Sequence, residues 1–65
     1  MFLLEVGVEG NQPILAVMDT VEECAYLAIQ QIDDGTRMDF SEIRRALMTR
    51  RSWSGYGITI SIKRR

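Results

Sequence analysis

Ile58-Thr59-Ile60-Ser61-Ile62-Lys63 alternates without a break, apolar on one side and polar on the other, and this stretch decides the fold. Period two is the pattern of a strand buried on one face only. The chain therefore holds a sheet with a covered side, and the residues before it must supply the cover. Immediately upstream, Trp53-Ser54-Gly55-Tyr56-Gly57 reads as a glycine-interrupted aromatic turn. Further back, Phe40, Ile43, Ala46 and Leu47 fall at helical spacing. Asp39 or Ser41 can cap that helix, Glu42 stands three places after Asp39 as in a capping box, and the helix is expected to end near Ser52.

A second helical pattern precedes this one. Thr20-Val21-Glu22-Glu23 has capping-box spacing, with Asp19 as a further candidate cap. Val21, Cys24, Ala25, Ala28, Ile29 and Ile32 form one apolar stripe, and Asp33-Asp34-Gly35 offers a stop, so the helix is expected over roughly 20–33. Its small residues at Cys24, Ala25 and Ala28 would let it lie close against a sheet. At the start, Phe2, Leu4, Val6 and Val8 alternate with Leu3, Glu5 and Gly7, Glu9-Gly10-Asn11-Gln12 breaks the run, and Ile14 to Met18 is apolar again. That reads as a β-hairpin with Pro13 at the entrance of its second strand, where a missing N–H does least harm.

The expected order is β-β-α-α-β: an α+β domain with a three-stranded, mainly antiparallel sheet and two helices packed on one face. Leu3, Leu15 and Val17 would then lie on the uncovered face. A sheet with apolar residues on both faces and free edges invites another chain, so a homodimer is expected.

Composition agrees with a single folded domain over 1–65: 46% of the 65 residues are hydrophobic, 26% are charged, and there is one proline. So short a chain builds a thin core, worth roughly 3–5 kcal/mol. One cysteine and no histidine rule out an intrachain disulfide and do not supply the ligands of a structural zinc site. The same cysteine usage favours a reducing, cytoplasmic setting. The beginning of the sequence lacks the pattern of a signal peptide, and no apolar run approaches the ~20 residues of a membrane span, so a soluble protein with no membrane partner is expected.

Catalysis finds few carriers here. Glu22-Glu23 and Asp33-Asp34 stand where solvated helix-end charges are ordinary, and Cys24 lies on an apolar stripe, where a thiol packs as an inert hydrophobe. Asp33, Asp34 and Asp39 lack the spacing of a calcium loop, and Gly55 and Gly57 precede a strand rather than a phosphate-binding helix. Met18 and Met48 read as gap fillers. The reading is a protein without catalytic residues, metal or cofactor.

Charge is the informative feature. Residues 1–36 carry −7 and residues 37–65 carry +6, for a net charge of −1. Such asymmetry marks a surface committed to a partner. Arg44, Arg45, Arg50, Arg51, Trp53, Tyr56 and Lys63 are the candidate partner-binding residues, with Arg64 and Arg65 beyond them. Arginine forks grip carboxylates and phosphates, and aromatics beside them anchor interfaces or stack on bases. The expected function is stoichiometric binding that regulates or inhibits a larger protein, of the kind suited to a phage or mobile-element accessory protein. A nucleic-acid-binding regulator using the same basic surface is the alternative, and a pI of 5.2 weighs against it.

Overall fold

The computed structural model describes residues 1–31 and 39–65. Its elements are β1 (Phe2–Val8), β2 (Ile14–Met18), α1 (Val21–Gln31), α2 (Phe40–Arg50), β3 (Ser52–Gly55) and β4 (Ile58–Arg64). The expected stop at Asp33-Asp34-Gly35 and the stripe position Ile32 lie outside the described residues. The strands form one antiparallel sheet in the order β2-β1-β4-β3. Two hairpins thus meet through the central pair, where β1 and β4 run in register from Phe2 opposite Arg64 to Val8 opposite Ile58. From β2 at one edge the chain passes through both helices before it reaches β3 at the other.

The α+β class and the antiparallel sheet agree with the sequence reading, and the strand count is corrected from three to four. Helix α2 ends at Arg50 rather than near Ser52, because Arg51 turns into the left-handed region at φ 63 and its N–H donates to the Leu47 carbonyl at 3.2 Å. What looked like an aromatic turn then splits into a strand and a tight turn. Trp53 points inward between exposed Ser52 and Ser54, opposite Ile60. Tyr56 and Gly57, with φ of 54 and 74, are the two-residue loop, and the positive φ at both is what a type I′ hairpin turn requires.

Alternation decides which sheet face is dry. Leu4, Val6, Trp53, Ile58, Ile60 and Ile62 are buried against Val21, Cys24, Ala25 and Ala28 of α1 and Ile43, Ala46 and Leu47 of α2. Cys24, Ala25 and Ala28 are fully buried, so the short side chains do bring α1 down onto the strands. The opposite face carries Glu5, Leu15, Val17, Ser52, Ser54, Thr59 and Lys63, all exposed.

Both helices begin as the sequence indicates. The Thr20 hydroxyl accepts from the Glu23 N–H and donates to the Glu23 carboxylate, each at 3.1 Å. Asp39 Oδ1 accepts from the Ser41 N–H at 2.9 Å and the Glu42 N–H at 3.3 Å.

Candidate functional site

The basic residues gather at one end of the sheet because two chain segments meet there. Arg50 occupies the last turn of α2 and Arg51 caps it. The Arg51 carbonyl accepts from the Ile62 N–H at 3.0 Å, which sets this junction beside the end of β4 and its Lys63-Arg64-Arg65. Across the sheet, Arg64 is opposite Phe2, and the Arg65 N–H donates to the Met1 carbonyl at 3.1 Å. The Arg51 guanidinium carbon lies 5.5 Å from the centroid of the Phe2 ring, a cation–π contact that holds one fork in place. Arg50, Arg51, Lys63, Arg64 and Arg65 are all exposed.

The seven candidates from the sequence fall in four places. Arg50, Arg51 and Lys63 share the basic end, while Arg44, half-buried, and Arg45, exposed, lie earlier on α2. Trp53 is only 8% exposed and belongs to the core, so its indole is not a surface anchor in this conformation. Tyr56 is 75% exposed at the β3–β4 tip. At ~3.3 Å per strand residue this tip is roughly 20 Å from Lys63. It neighbours the other hairpin instead, where the Glu9 N–H donates to the Gly57 carbonyl at 3.0 Å.

Arg64, Arg65 and Phe2 complete the basic end. The terminal basic run was plain in the sequence, but its pairing with Phe2 and its meeting with Arg51 depend on β4 lying between β1 and β3.

Acidic residues occupy the adjoining corner. Met18 is opposite Phe2 on the far side from Arg64, and Asp19 follows it into the first turn of α1 with Glu22 and Glu23. The end of the sheet is therefore positive toward β3 and β4 and negative toward β2. An open groove of about 370 Å³, walled mainly by apolar atoms, begins at Met18 and runs past Tyr26, Leu27 and Phe40, with Glu22, Glu23 and Gln30 beside it.

Cys24 is fully buried, and its thiol is pushed up from the ordinary cysteine range, first by burial and then by the nearby Glu23 carboxylate. A thiol held protonated is a poor nucleophile. Among the described residues, no three histidine, cysteine, aspartate or glutamate side chains gather as a metal site, and no helix is long and apolar enough to cross a membrane. The arrangement is suited to recognising charge and shape. No protein-family model matches the chain, and no curated protein or solved structure matches it either.

Proposed function

We propose that this chain is a small, non-catalytic binding protein that regulates or inhibits a larger protein by stoichiometric association, presenting its basic end to an acidic surface. The observation that carries this reading is the convergence of Arg50 and Arg51 with Lys63, Arg64 and Arg65 from two separate segments. Arg51 adds to it. A non-glycine residue in the left-handed region costs about 1–2 kcal/mol relative to an ordinary conformation, and glycine is the usual helix stop. An arginine kept there, with its fork set over Phe2, fits a side chain retained for contact rather than for stability.

Two placements favour a protein over a nucleic acid. Asp19, Glu22 and Glu23 lie at the corner next to the basic end, so a phosphate backbone tracking across it would meet repulsion within a few residues. The exposed sheet face offers serine, threonine, leucine and valine where base stacking needs aromatic rings, and Tyr56 stands at the far end. A protein partner with mixed charge tolerates both features.

The test is capture by tagged protein after nuclease treatment, run beside Arg50→Glu/Arg51→Glu and Lys63→Glu/Arg64→Glu. A discrete protein retained by the wild type and lost from both variants is expected. Retention by the variants, or recovery of nucleic acid alone, rejects the reading.

A further inference from the structure

The two edges of the sheet are built differently. β3 has four residues, its outward side chains are Ser52 and Ser54, and Arg51 precedes it. Short length, polar side chains and an adjacent charge are the usual devices that stop an edge from pairing. β2 is one residue longer and is flanked by Pro13 and Asp19, but its own side chains offer no such protection. Ile14-Leu15-Ala16-Val17-Met18 has no polar or charged residue, and Leu15 and Val17 are 61% and 46% exposed. Its outer backbone groups face away from β1, its only neighbour in the sheet among the described residues.

We propose that β2 is a dimerisation edge that pairs antiparallel with β2 of a second copy, centred on Ala16, to make a continuous sheet across the two-fold axis. The strand is complementary to itself. In that register Ala16 meets Ala16, Leu15 meets Val17 and Ile14 meets Met18, so apolar meets apolar throughout and the smallest side chain sits on the axis. On the open face the existing register places Leu3 beside Val17 and Glu5 beside Leu15, with Lys63 beyond Leu3. Leu3, Leu15 and Val17 of both copies would join into one apolar strip, bordered at each end by Glu5 and Lys63 of the same copy. Like charges stay apart: Asp19 of each copy falls beyond Ile14 of the other, near Pro13. Pairing of β2 with β3 of another copy would instead set apolar residues against serines and leave an edge free at each end. This proposal does not rest on the basic end, with which it shares only Lys63 at the border of the strip.

Sedimentation equilibrium from micromolar to millimolar concentration tests it. The expected mass is twice the 7.5 kDa of the chain. Leu15→Lys/Val17→Lys, at two exposed positions, should give a folded monomer by circular dichroism, and Ser52→Lys/Ser54→Lys should still dimerise. Hydrogen exchange of the wild type provides a readout free of mutation: β2 amides should slow as concentration rises while β3 amides do not. A monomer throughout the range, a mass that grows beyond the dimer, or protection confined to β3 overturns the proposal.

Discussion

The indole of Trp53 lies against the backbone of Gly55, so that a Cβ added at residue 55 would stand 3.0 Å from Trp53 Cη2. Both residues face the helices from an edge strand, and the absent side chain is the space the ring occupies. Gly55→Ala requires the buried indole to give by a few tenths of an ångström, and in so thin a core overpacking of this kind is expected to cost about 1–3 kcal/mol. Urea unfolding should show a lower midpoint for Gly55→Ala, and Trp53 fluorescence should report the shifted ring.

The same pair shows why the sequence concealed β3. Ser-Trp-Ser-Gly is too short to establish a period, and Gly55 and Gly57 standing close together resemble a loop. Only one of them makes the turn, with its positive φ, while the other makes room for the ring. By contrast, β1, β4 and both capped helices were legible, because their patterns repeat over enough residues to fix a face. The basic end was half legible. Composition exposed the arginines, but the grouping of Arg51 with Arg64 follows from strand order, which alternation does not encode. Trp53, a candidate partner-binding residue by its type, lies in the core, and its strand is too short for alternation to show which way the ring faces.

Tyr56 and Arg51 both occupy the left-handed region and should respond differently to relief. Tyr56→Asn creates the Asn-Gly pair favoured in type I′ turns and should stabilise the domain by about 0.5–1 kcal/mol. Arg51→Gly relaxes the backbone but loses the contact with Phe2, so stability should change by less than about 1 kcal/mol. Partner capture should nevertheless weaken. Thermal melts paired with capture assays separate the two effects.

The caps should be measurable one at a time. Asp39→Ala and Thr20→Ala each remove an acceptor from the first turn of a helix and should cost about 0.5–2 kcal/mol. Asp39 serves two N–H groups and should be the more costly of the two. Chemical denaturation of both variants against the wild type checks the order.

Cys24 predicts an alkaline loss of stability. Its pKa is raised in the fold, so the thiol's contribution is intact below the unfolded-state value of about 8.5 and falls as pH rises from there toward the folded value. The wild type should lose stability above about pH 8.5 more steeply than Cys24→Ala, which has no thiol to ionise. Equal slopes for the two proteins would show that the buried thiol does not govern this range. Native-state labelling by a thiol reagent should likewise be slow and should accelerate in urea.

The central claim is that the basic end binds an acidic protein. Nuclease-treated capture at about 0.15 M salt, comparing the wild type with Lys63→Glu/Arg64→Glu, tests it most directly. A single protein recovered near one-to-one with the wild type and absent from the folded variant is the predicted result. The same protein recovered by both, or nucleic acid that disappears with the nuclease and leaves no protein behind, would contradict it.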